Sequence, residues 1–60
     1  MFIQVTAKDD NHRMIVNKEK IEFIDENPET GEVTLYIDTD NKSKALVVKE
    51  QLNYFIFNIV

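Results

Sequence analysis

Covalent catalysis needs an activated serine, threonine or cysteine beside a base. This chain holds one serine (Ser43), one histidine (His12) and no cysteine in 60 residues. His12 follows Asp9 and Asp10, and a neighbouring carboxylate could orient its imidazole. No nucleophile lies near it in sequence, so a solvated turn is the simpler reading. Phosphate loops need several glycines for close backbone approach. Gly31 is the only glycine, so neither a P-loop nor a dinucleotide fingerprint is present. Asp38-Thr39-Asp40-Asn41 opens like a calcium loop. Such a loop needs an oxygen ligand at its fifth position, glycine at its sixth and glutamate at its twelfth. Those positions hold Lys42, Ser43 and Lys49. The carboxylate pairs Asp25/Glu26 and Glu29/Glu32 sit at turns, without the cleft that would shift one pKa. Without cysteine, disulfides and thiolate zinc sites are excluded. The expectation is a protein that is not an enzyme and carries no metal and no cofactor.

Binding chemistry is better represented. Lys42, Lys44 and Lys49 form the densest basic stretch, and Arg13 and Lys8 belong to the first hairpin. Tyr36 precedes that stretch at an outward position. Basic side chains beside an exposed aromatic ring suit phosphate pairing and base stacking. Arg13, Tyr36, Lys42 and Lys44 are therefore the candidate ligand-binding residues, for a small anionic molecule. The competing role for these lysines is to protect an edge strand from aggregation.

The elements that would carry these residues are mostly strands. Alternation of apolar and polar residues marks half-buried β-structure. It predicts strands over about 2–7, 13–17, 21–26, 32–38 and 44–48. Ile3, Val5 and Ala7 point inward, as do Met14 and Val16, Ile21 and Phe23, and Val33, Leu35 and Ile37. Asp9-Asp10-Asn11, Asn27-Pro28-Glu29-Thr30-Gly31-Glu32 and Asp38–Ser43 are polar turns. Asn17–Lys20 reads as a tight turn or a single helical turn. Turns about every ten residues indicate an antiparallel five-strand meander.

The last segment admits two readings. Leu52, Phe55, Ile56, Ile59 and Val60 form a helical stripe, while Tyr54-Phe55-Ile56-Phe57 has strand propensity. A helix over about 50–59 is favoured, because it would cover the open face of the meander. The fold class is thus α+β, mainly β, in a single domain spanning 1–60. Tyr54 and Phe57 fall outside the helical stripe, so such a helix needs cover on a second side. So short a chain has no second layer to supply it. Folding must offset roughly 1.5 kcal/mol of ordering entropy per residue, and small folds gain from disulfides, metals or self-association. Leu52, Tyr54, Phe55 and Phe57 are accordingly the candidate oligomer interface.

Hydrophobic residues make up 43% of the chain and the net charge is −4. That hydrophobic share fits a globular chain rather than a disordered one. The acidic balance opposes phosphate backbones and anionic membranes, so nucleic acid and membrane are unexpected partners. Neither a signal peptide nor a membrane-spanning run is legible. The expected compartment is the cytoplasm, or the host cytoplasm for a viral protein.

Four stretches resemble the FlbD-like small proteins of bacterial flagellar operons and related phage proteins. They are Ile3-Gln4-Val5-Thr6, then Met14-Ile15-Val16-Asn17 with Ile21-Glu22-Phe23-Ile24, and finally Val47-Val48-Lys49-Glu50-Gln51. The turns at Asn27–Glu32 and Asp38–Ser43 are longer than that pattern. Asn53-Tyr54-Phe55-Ile56-Phe57 is less charged than the family's helices. The resemblance implies a regulatory role and bacterial or phage origin. The expected function is a small oligomeric binding or regulatory module acting on a protein partner. The alternative is a phage-type protein that traps an anionic nucleotide signal in pockets between subunits.

Overall fold

The computed structural model describes residues 1–59. Val60, counted above in the helical stripe, lies outside the described residues. The elements are β1 (Phe2–Thr6), β2 (Arg13–Asn17), a 3-10 turn (Lys18–Lys20), β3 (Ile21–Glu26), β4 (Val33–Thr39), β5 (Lys42–Val48) and α1 (Leu52–Ile59). The α+β class, the five antiparallel strands and the C-terminal helix all agree with the sequence reading.

The meander is not continuous. The strands divide into a two-stranded sheet, β1-β2, and a three-stranded sheet, β3-β4-β5. The break falls between β2 and β3, where the 3-10 turn redirects the chain. The Asn17 side chain accepts from the Glu19 N–H at 3.1 Å and so caps that turn. The two sheets are joined elsewhere, at a bridge between Ala7 and Val48. There the Lys8 N–H donates to the Val47 carbonyl at 3.0 Å, and the Lys49 N–H donates to the Thr6 carbonyl at 2.9 Å.

Local sequence accounts for the hairpins. Asp40 and Asn41 have φ of 43° and 72°, the left-handed pair of a two-residue type I′ turn. The apparent loop at Asp38–Ser43 is therefore largely strand, and β4 and β5 extend into it. Asn27 holds the other hairpin. Its N–H donates to Glu32 at 2.8 Å, and its carbonyl accepts from Gly31 at 2.7 Å. Gly31 closes this loop at φ 78°, where a side chain would be strained.

One inward assignment changes. The β3–β4 register shifts between Ile21 and Phe23, which reverses the strand's parity. Ile21 and Ile24 consequently pack against the core, while Phe23 faces solvent. Its ring stacks on Tyr36, centroids 4.3 Å apart and planes at 17°.

The core joins both sheets and the helix: Ile3, Val5 and Val16 from the first sheet, Val33, Leu35 and Val48 from the second, and Phe55 from α1. Alternation places each strand residue there, and the helix supplies the closing ring. Because Phe55 is only 2% exposed and lies among aliphatic side chains, its truncation leaves a cavity. Phe55→Ala is expected to cost about 3–5 kcal/mol, a large part of the stability of so small a domain. Urea denaturation followed by circular dichroism measures it. A loss below about 1 kcal/mol would show that Phe55 does not close the core.

Candidate functional site

The four candidate ligand residues do not come together within one chain. Cross-strand pairing sets Tyr36 opposite Ala45 and Ile37 opposite Lys44. Successive strand residues point to opposite faces. Tyr36 therefore occupies the outer face, beside Phe23, while Lys44 lies on the inner face with Ile37. Lys42, opposite Thr39, shares the face of Lys44. Arg13 belongs to the other sheet, exposed and opposite Thr6. An anion site using all four residues is thus not assembled by a single subunit.

The candidate interface residues divide as well. Phe55 belongs to the chain's own core, so its assignment to an oligomer surface is corrected. Leu52 and Tyr54 are half-buried against that core. The Tyr54 hydroxyl donates to the Gln4 carbonyl at 2.7 Å, which anchors the helix to the middle of β1. Glu50 secures the start of the segment by accepting from the Thr6 N–H at 2.8 Å and the Thr6 hydroxyl at 2.9 Å. At the far end the Lys18 ammonium donates to the Asn58 carbonyl at 2.6 Å, satisfying one of the helix's last acceptors.

Apolar side chains remain on the outside. Phe57 is 82% exposed and Ile56 is 51% exposed, while Phe2 and Ile15 are 70% and 71% exposed. Phe2 and Ile15 flank Gln4, one along β1 and the other across the pair. The Tyr54–Gln4 bond sets the helix beside β1, the strand that carries Phe2. Phe57 was legible as unplaced from helical spacing. Phe2 and Ile15 carried the same signal in their outward parity, but only a description of both sheets brings them near the helix.

A cleft of about 800 Å³ separates β2 from the β4–β5 hairpin. Met14 and Val16 line one side, Leu46 the other, and Lys20, Lys44 and His12 also border it. Of the four expected ligand residues, only Lys44 reaches this cleft. Lys20 had no distinguishing sequence context.

Asp9, Asp10 and His12 form an exposed cluster whose ligand atoms lie within 4.8 Å of one another. Within it, the Asp10 carboxylate is already bonded to the His12 ring and to the His12 N–H. The only serine is also occupied, its hydroxyl donating to the Glu22 carboxylate. Ser43 is therefore not paired with His12. The remaining ion pair among the described residues, Lys8–Glu32 at 2.8 Å, is exposed.

Comparisons with protein-family models, curated proteins and solved structures found no match to this chain. No helix among the described residues is long and apolar enough to cross a membrane.

The Asp10–His12 contact gives a pH signature. The side-chain hydrogen bond from His12, with the His12 backbone N–H, holds the Asp10 carboxyl below its ordinary value of 3.8. A depressed folded-state pKa favours the folded state above the ordinary value. That contribution is lost as pH falls through the lower, folded-state value. An NMR titration of the Asp10 carboxyl carbon should give a midpoint below 3.8, and His12→Ala should raise it. An unchanged midpoint in His12→Ala would assign the shift to another group.

Proposed function

We propose that this chain is a small non-enzymatic binding or regulatory module that acts as a homo-oligomer, of bacterial or phage origin. The observation that carries this reading is the outer apolar surface of α1 and β1-β2. Phe2 and Phe57 alone expose on the order of 300 Å², taking a full aromatic side chain as about 200 Å². Ile15, Ile56 and Met1 add to that figure. The sum exceeds the few hundred Å² of a usual monomer surface patch and approaches the ~800 Å² per partner of a standard interface. The surface is formed by one helix face and one sheet face. A second copy supplies the same apolar chemistry across a two-fold axis. The cellular target of such an oligomer would be a protein, consistent with the regulatory class that the FlbD-like resemblance implies.

A second reading, trapping of an anionic nucleotide between subunits, draws support from the Phe23–Tyr36 pair. These stacked rings offer a flat, partly exposed aromatic platform on the outer face of the second sheet. Lys42 and Lys44 of one subunit could meet the platform of another. A thermal-shift screen against nucleotides addresses it. A ligand at 100 times its Kd adds about 2.7 kcal/mol, and no shift with any nucleotide removes the reading.

Native mass spectrometry at micromolar concentration tests the oligomer directly. The wild type should be a dimer or larger, and Phe57→Glu should dissociate it. Burying an unpaired carboxylate at the interface is the physical cause. A monomeric wild type would overturn the proposal.

A further inference from the structure

The cleft between β2 and the β4–β5 hairpin meets the outer surface just described at Ile15, which borders both. Its volume of about 800 Å³ falls within the roughly 300–1,000 Å³ common for small-molecule sites. Its walls are mainly aliphatic and thioether side chains, Met14, Val16 and Leu46 foremost; no phenylalanine, tyrosine or tryptophan lines it, and its one ring, His12, is bonded to Asp10. Two cations stand at one end. Ile21 pairs with Ile37, and Ile37 pairs with Lys44, so these three form a row across the second sheet. Lys20 immediately precedes Ile21. The backbones of Lys20 and Lys44 are therefore about two strand spacings apart, ~10 Å. Each ammonium rides on a flexible four-carbon stem, which is long enough for both to reach one anionic group between them. Neither lysine has an ion-pair partner among the described residues. The acidic lining groups are placed differently. Asp9 belongs to the turn beside Val47, at the other end of the cleft. Asp38 pairs with Ser43 and so lies on the face opposite Lys44.

We propose that this cleft binds a small amphipathic anion with an unbranched aliphatic body. Its carboxylate sits between Lys20 and Lys44, and its chain lies along Met14, Val16 and Leu46. Charge complementarity selects the head. With no large aromatic ring in the lining and the His12 imidazole tied to Asp10, an aliphatic body is favoured over a nucleobase, since base recognition draws much of its energy from aromatic faces. Methionine's flexible thioether suits a chain of variable shape. The site uses residues of one subunit only, so it stands or falls independently of oligomerisation.

An NMR titration of the ¹⁵N-labelled full chain with sodium octanoate tests it. Saturable shifts are expected at the amides of Met14, Val16 and Leu46. The uncharged 1-octanol should bind at least about tenfold more weakly. The double variant Lys20→Glu/Lys44→Glu should lose at least about tenfold in octanoate affinity, and Lys20→Arg/Lys44→Arg should retain it. Both lysines are exposed and make no ion pair among the described residues, so the variants' thermal midpoints should match the wild type. Equal binding of octanol and octanoate would overturn the proposal, as would shifts confined to Phe2, Ile56 and Phe57. Tighter binding of adenosine monophosphate than of octanoate in the same cleft would overturn the aliphatic assignment.

Discussion

The short junction between Thr6–Lys8 and Val47–Lys49 is the constraint on which the rest of the structure depends. Two backbone hydrogen bonds, which make up the Ala7–Val48 bridge, join the sheets there. Without that joint the β1-β2 hairpin would be an isolated two-stranded unit, which is marginal in water. With it, Ala7 and Val48 are held together, and the inner faces of both sheets enclose one core. The residues that follow β5 are also delivered to the edge of β1. Glu50 then occupies the Thr6 N–H and hydroxyl, at the point where strand pairing ends.

The helix follows from that delivery. It begins beside β1, and the Tyr54–Gln4 bond keeps it there. Phe55 enters the core between the sheets and satisfies the inner demand for apolar surface. A helix of eight residues has a narrow perimeter. Once Leu52, Phe55 and Ile59 face inward, Phe57 must face outward, and Ile56, on the flank of that stripe, is left half exposed. The exposed apolar surface is thus a geometric consequence of an apolar helix placed at the rim of a small fold. The same placement leaves the far side of the molecule open, where β2 and the β4–β5 hairpin diverge and the cleft lies.

Much of the architecture was legible residue by residue. Alternation in Ile3-Gln4-Val5 and Val33-Thr34-Leu35 identified strands and their buried faces. The helical reading of about 50–59 followed from spacing, against the strand propensity of Tyr54–Phe57, and the helix itself begins at Leu52. Phe23 was misassigned because a bulge reverses parity without leaving a composition signal such as glycine. Asp38–Ser43 looked like a loop because its residues are polar. A type I′ turn needs only two residues with positive φ, and the flanking polar residues still pair as strands. The candidate ligand set does not assemble within one chain, for a related reason. Tyr36 and Lys44 are close in a list of exposed residues, yet one lies on each face of the sheet.

Composition and periodicity by themselves determined that this chain has no cysteine chemistry and no glycine-rich phosphate loop, which residues form its strands, and that its final segment carries more apolar surface than one face can hide. Both rest on local rules: side-chain type limits reactivity, and backbone geometry links spacing to facing. Tertiary structure alone decided that the meander breaks after β2, that Phe55 belongs to the core while Phe57 does not, and that Lys20 and Lys44 border one cleft. Those outcomes depend on contacts between residues up to about fifty positions apart, as in the Tyr54–Gln4 bond. No local pattern encodes which distant edge a strand will meet, because that choice is made by burying the whole apolar surface at once.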